Sequence, residues 1–320
     1  MNNNKKYFIN VAMGTGANIA LCSVLTQLKK EDPEYYFAVC SPYFDVFECC
    51  KAVNAVYKPQ EMRDFIFDAK AMDAEIINHR LYDMDGFIKK HLNYDTAWRM
   101  LLHVETISEL DQPMTVTSEL DTTKYGMVNI VNNVKDQIKK AGFKDYVICQ
   151  FCGGQSPLVQ VPVVDGKQDW SKVPYDYQNE PLKRHYPIDK AMEFLGRFHA
   201  EHPKTAVILY QLPNEPSPQD SFIFKFTIPY LAYYELAKDA LGVIAIDSSL
   251  QHLVAGITKT VVIWGHSEPK TFGYDYNKNI VQDCRRDDIL YFSALGPSGA
   301  KIDYISPEKL LKEVDDYFGV

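Results

Sequence analysis

No window of the 320-residue sequence approaches the roughly 18 unbroken apolar residues that a membrane-spanning helix needs, which argues against an integral membrane protein. The first residues, Met1-Asn-Asn-Asn-Lys-Lys-Tyr7, lack an apolar signal core and a small-residue cleavage site, and predict an unexported, cytoplasmic chain. Positive charge is in deficit: 34 Lys and Arg against 42 Asp and Glu give a net charge of -8. The overall field therefore repels polyanions, and any phosphate contact has to be local. Short repeats and low-complexity tracts are absent. Seven cysteines are an odd number for a disulfide framework and fit reduced thiols. Cys149-Gln-Phe-Cys152 is formally a C-x-x-C, but no second C-x-x-C and no H-x-x-x-H accompanies it. It closes the apolar run Tyr146-Val-Ile-Cys-Gln-Phe151, so buried structural thiols are expected rather than a redox pair or half a zinc site.

What is present is a globular composition, 46% hydrophobic and 24% charged, over about twice the length of a typical single domain. Two domains with a cleft follow as the expectation. Strand-length apolar runs alternate with segments of helical period, the mark of parallel sheets covered by helices, so the class is α/β. A strand near Tyr7–Ala12 meets the turn Gly14-Thr-Gly16, then a helix carrying Ile19, Leu21, Val24, Leu25 and Leu28, then a strand at Tyr36–Cys40. A helix near Met127–Ala141 stops at Gly142, and a fresh strand near Tyr146 opens a second α/β unit. The boundaries read from these signals are 1–142, 143–305 and a closing helix over 306–320, with Ser306 as N-cap and Pro307 at N1.

Two segments could seat a ligand. Gly14-Thr-Gly16 opens a helix after a strand, where glycines let the backbone approach a phosphate. The third glycine of a dinucleotide fingerprint would fall on Ile19, and no acid ends the second strand at Cys40, so a nicotinamide-dependent oxidoreductase is the weaker alternative. A ligand-free strand-to-helix turn also fits. The second segment is Asp247-Ser-Ser-Leu-Gln-His252, an acid at a strand end followed by two hydroxyl residues opening a helix, whose N–H groups face the crevice where α/β sheets bind ligands. The plainer alternative is an ordinary N-cap with a core or surface histidine.

The run from Asp247 to Ile257, then Lys259-Thr-Val-Val-Ile-Trp-Gly265, Glu268-Pro269 and Phe272-Gly273, resembles the C-terminal signature of the lipopolysaccharide heptosyltransferases, glycosyltransferase family 9. Upstream, Arg184-His-Tyr-Pro187 is similar to that family's Lys-x-Trp-Pro segment and Glu215 to the acid that holds the donor ribose. Gly14-Thr-Gly16 is similar to its N-terminal Gly-x-Gly-Asp turn. The resemblance implies a GT-B fold: two facing Rossmann-like domains, the donor held by the second, the acceptor by the first, and the last helix packed back on the first. It also implies inverting transfer of a sugar from an ADP- or UDP-linked donor, with Gly14, Gly16, Arg184, Glu215, Asp247, Ser248, Ser249 and His252 as donor-binding residues. The acceptor could be a glycan, a small molecule, a protein or a modified nucleic-acid base.

Two positions depart from the family pattern. Ala17 stands where the family has the Asp that serves as general base, and Ser249 stands where it has Gly. Transfer needs a base for the acceptor hydroxyl, and Asp83, Asp85, His79 and His103 are the candidates in the N-terminal half, with Asp85 foremost. No cofactor and no catalytic metal are expected; Asp83-Met-Asp85 is the one tempting Asp-x-Asp, and it lies outside the donor half. The loss at position 17 also leaves a non-catalytic nucleotide-sugar binder as an alternative.

Overall fold

The computed structural model describes residues 5–320 except 79, 82–83, 85–86, 88–91, 105–112, 118, 154–162, 165–166, 169–185, 212–218, 266 and 285–301. The chain divides into two units, residues 1–128 with 270–276, and residues 129–269 with 277–320.

In the first unit, β1 (Lys6–Asn10) runs into α1 (Thr15–Glu31), then β2 (Tyr36–Cys40), α2 (Phe44–Cys49), β3 (Ala55–Tyr57), α3 (Met62–Ala71), β4 (Glu75–Ile77) and α4 (Tyr94–Leu101). All pairings are parallel and the strand order is β3-β2-β1-β4. The helix α1 is buried on more than one face, from Ala17 through Thr26 and at Leu28, and it packs on α2 and α4. Arg99 of α4, almost wholly buried, fixes that contact with bonds of 2.8 and 2.7 Å to Glu31 and 2.8 Å to Asp95. Segment 270–276 completes this unit. Met114 N–H donates to Gly273 O at 2.9 Å, Asp275 N–H returns to Met114 O at 3.0 Å, and Phe272 packs on Phe87 and Tyr94.

The second unit begins with the helix α5 (Met127–Lys140) and continues through β5 (Asp145–Cys149), α6 (Ile188–Glu201), β6 (Thr205–Leu209), β7 (Ile223–Phe224), α7 (Ala232–Ala237) and β8 (Val243–Ile246). It ends with α8 (Ser249–Leu253), β9 (Thr260–Trp264), β10 (Lys278–Val281) and α10 (Pro307–Phe318), while α9 (Pro269–Phe272) leads into the segment that belongs to the first unit. The sheet is parallel in the order β10-β9-β8-β5-β6-β7. Counted along the chain this is the 3-2-1-4-5-6 order of a doubly wound sheet, and the order reverses between β5 and β8.

Two expectations are corrected. The division falls at 128 and not at 142, because α5 belongs with the second unit: Lys135 pairs with Asp239, and Phe143 packs on the second core. Gly142 marks a helix end, not a domain edge. The closing helix α10 belongs to the second unit. Leu310, Leu311, Val314 and Phe318 join the core formed by Val147, Phe194, Phe198, Ile244 and Val261, and α10 lies on α6. Lys278–Glu313 at 2.6 Å and Arg197–Glu308 at 2.7 Å flank it. Its amphipathic spacing required one buried face but did not say against what.

Candidate functional site

The second sheet is where a doubly wound fold offers a ligand crevice, outside the C-terminal ends of the strands at the reversal point. There the chain leaves β5 through Gln150 and leaves β8 through Asp247 and Ser248. Gln150 is buried and held in one orientation: its N–H donates to Ile244 O at 2.8 Å and its Nε2 to Cys152 O at 2.9 Å. Its Oε1 is left to accept the Ser248 hydroxyl proton. Ser248 is the N-cap of α8, with Oγ accepting Leu250 N–H at 3.3 Å. The bond between Gln150 and Ser248 thus ties the two strand ends across the reversal. Gln150 was not singled out from the sequence, although a lone polar residue closing the run Tyr146–Cys149 is itself a strand-end signal.

Asp247 acts as a buttress. Its Oδ1 accepts Gln251 Nε2 at 3.4 Å, one turn on, and its Oδ2 accepts the Ser267 hydroxyl from beyond β9. Tyr230 Oη donates to Ser249 O at 2.7 Å, and its ring meets that of Tyr210 at the end of β6. With the Ser248 hydroxyl committed to Gln150, the Ser249 hydroxyl has no hydrogen bond among the described residues, and the first-turn N–H groups of a helix lack intrahelical partners. The arrangement can accept an anionic oxygen.

His252 lies one turn into α8 and is buried, which pushes its pKa down to about 3. It is neutral at pH 7 and offers at most one N–H, not a positive charge. A linkage effect follows. Because the folded pKa is depressed below the ordinary 6.5, stability is present above pH 6.5 and is lost as pH falls toward 3. Between pH 7 and pH 5 the loss from this one group is roughly 2 kcal/mol. Urea unfolding at the two pH values should show that His252→Gln removes a corresponding part of the pH dependence; an identical dependence in both proteins would exclude the effect.

In the first unit, Gly14 is the N-cap of α1 at φ -64° and Gly16 lies in its first turn. Neither backbone strain nor packing among the described residues requires a glycine at 14, since an added Cβ would meet nothing within 4 Å. Asn18 is buried, and both ends of its amide are engaged. Its Nδ2 donates to Met13 O at 2.8 Å and Gly14 O at 2.9 Å, and its Oδ1 accepts the Ser41 hydroxyl at 2.9 Å. It closes the β1–α1 turn onto the end of β2. Ala17 is buried beside it.

Thus Asp247, Ser248, Ser249 and His252 come together in the second unit, and Gly14 and Gly16 stand at the corresponding strand end of the first. Asp85, Arg184 and Glu215 lie outside the described residues, as do Asp83 and His79. His103 is exposed, has φ 53°, and stands 3.3 Å from Glu75. Cys149 and Cys152 are buried free thiols, and burial raises the Cys149 pKa well above the ordinary range, so it is a poor nucleophile. Among the described residues no helix is long and apolar enough to cross a membrane.

No family model and no curated protein matches the sequence. Solved structures do match the fold. A glycosyl transferase family 9 protein from Veillonella parvula DSM 2008 covers 99% of this chain and 98% of its own, with 12% identity and a TM-score of 0.65. The E. coli ADP-heptose lipopolysaccharide heptosyltransferase II covers 98% of each chain at 12% identity, TM-score 0.64. An E. coli heptosyltransferase with ADP covers 90% of this chain and 96% of its own at 11% identity, TM-score 0.50. With a parallel α/β sheet in each unit and the second in doubly wound order, the chain has the GT-B fold of these glycosyltransferases.

Proposed function

We propose that this protein is a glycosyltransferase that moves a sugar, heptose-like or other, from a nucleoside-diphosphate donor to an acceptor hydroxyl with inversion. The observation that carries the reading is the Ser248–Gln150 bond at the strand reversal of the second sheet. It holds the start of α8 where such sheets bind phosphorylated ligands. The solved proteins of the same fold support it, one being named for ADP-heptose and another solved with ADP. The donor is ADP- or UDP-linked in this reading. The leaving diphosphate is stabilised by the first-turn N–H groups of α8, the Ser249 hydroxyl and the neutral His252 N–H, with Arg184 supplying the charge that His252 cannot. Glu215 holds the ribose. No cofactor takes part, and the chain works in the cytoplasm.

Mass spectrometry of purified protein incubated with a panel of nucleotide sugars and acceptors tests the reading directly. Arg184→Ala is expected to weaken nucleoside-diphosphate binding at least tenfold, since charge-assisted contacts contribute about 1.5–3 kcal/mol. An unchanged dissociation constant by calorimetry removes Arg184 from the site. A second reading, a non-catalytic nucleotide-sugar binder, is favoured by one observation: position 17 is a buried alanine, and the carboxamide of Asn18 beside it is not a base. Binding without turnover for every acceptor class would select it.

A further inference from the structure

The end of α6 and the last turns of α10 bring together three side chains of metal-ligating type that the donor site does not use. Glu201, His202 and Asp315 each offer one ligand atom, and these atoms all lie within 4.8 Å of one another. His202 Nε2 is 3.0 Å from Asp315 Oδ1. Around an ion with ligand bonds of about 2.0–2.1 Å, tetrahedral ligand atoms stand about 3.3 Å apart, so this imidazole and carboxylate already hold nearly that separation. Glu201 is exposed and can turn toward them.

The two better-buried ligands are fixed by the fold. The His202 backbone N–H donates to Phe198 O at 2.8 Å and its ring packs 4.7 Å from that of Phe198. Asp315 sits on α10, whose outer residues are flanked by ion pairs and whose inner face is in the core. Their side chains keep 17% and 20% exposure, enough for an ion and a water to enter.

The two carboxylate charges are only partly compensated. Among the described residues Glu201 has no hydrogen-bond or ion-pair partner, and the Asp315 carboxylate has His202 alone. Arg197, one turn before Glu201, is taken by Glu193 at 2.8 Å and Glu308 at 2.7 Å. Two carboxylates therefore converge on one imidazole at the C-terminal end of a helix, where the helix dipole also favours a cation.

We propose that Glu201, His202 and Asp315 bind a divalent transition-metal ion of the zinc class, with water as a further ligand. The role is structural: the ion ties α10 to the end of α6. Thr205 N–H donates to His202 O at 3.0 Å where β6 begins, so the site lies at the opposite end of the parallel sheet from Asp247 and Ser248. It rests on none of the donor-site assignments.

The test is zinc titration of the chelator-stripped full chain against a chromophoric chelator, with melting curves at each step. One equivalent should bind and raise the melting temperature. Glu201→Gln removes a carboxylate without a partner, so it should leave the metal-free melting temperature unchanged and weaken zinc binding at least tenfold; His202→Ala should abolish binding. Cobalt substitution should give weak visible bands without the thiolate charge-transfer absorption of cysteine ligation. Failure of the wild type to bind one equivalent, wild-type affinity in both variants, or a thiolate spectrum would each overturn the proposal.

Discussion

Asp85→Asn is expected to lower sugar transfer by about 10²–10⁴ while leaving donor affinity intact. The reason is chemical. A sugar hydroxyl is a poor nucleophile until a base takes its proton, and the first unit has no base at the place where the resembling family carries one. Ala17 has no proton acceptor, and the Asn18 amide next to it spends its donors on Met13 O and Gly14 O and its oxygen on Ser41. Any base therefore comes from elsewhere, and Asp85 is our proposal for it. Single-turnover rates with saturating donor, alongside calorimetric donor affinity, separate the chemical step from binding. A fully active Asp85→Asn together with faster transfer in Ala17→Asp would show that the base was never relocated. If the wild type turns over no donor, the binder reading replaces the enzyme.

The largest stability effect is expected at Gly242. A Cβ there would stand 2.2 Å from the ring of Phe318, and that ring is buried in the second core. Gly242 also accepts Ile148 N–H at 3.2 Å, and Lys259 Nζ donates to Phe318 O at 2.9 Å, so neither side of the contact can retreat easily. Overpacking of this kind costs about 1–3 kcal/mol. At about 2–4 °C per kcal/mol for a domain of this size, Gly242→Ala should lower the melting temperature by about 2–12 °C. Phe318→Leu should be destabilising alone yet partly rescue Gly242→Ala, because the methyl and the shortened side chain share one space. Strict additivity of the two changes would show that the contact is not what the glycine is for.

Gly242 also shows how far the sequence could be read. Its missing side chain makes room for a ring 76 positions later, information that no local pattern carries. Strand Tyr36–Cys40 was legible residue for residue, because apolar runs are local. The candidate seat was legible for a similar reason, as an acid, two hydroxyls and a histidine stand together in the chain. What ties that seat to the rest of the sheet was not, since Gln150 lies 98 positions before Ser248.

Composition and periodicity by themselves determined that the chain is α/β, that it carries two sheets, and which residues open the helix after β8, because burial of apolar stripes and helix capping act over a few residues. Only the tertiary structure decided the rest. It placed 270–276 with the first unit and α10 with the second, because an amphipathic face specifies that it must be covered and not by which partner. It made His252 neutral through burial, which depends on everything packed around it. It also brought Glu201 and His202 to Asp315, where residues more than 110 positions apart meet only because two helix ends lie side by side.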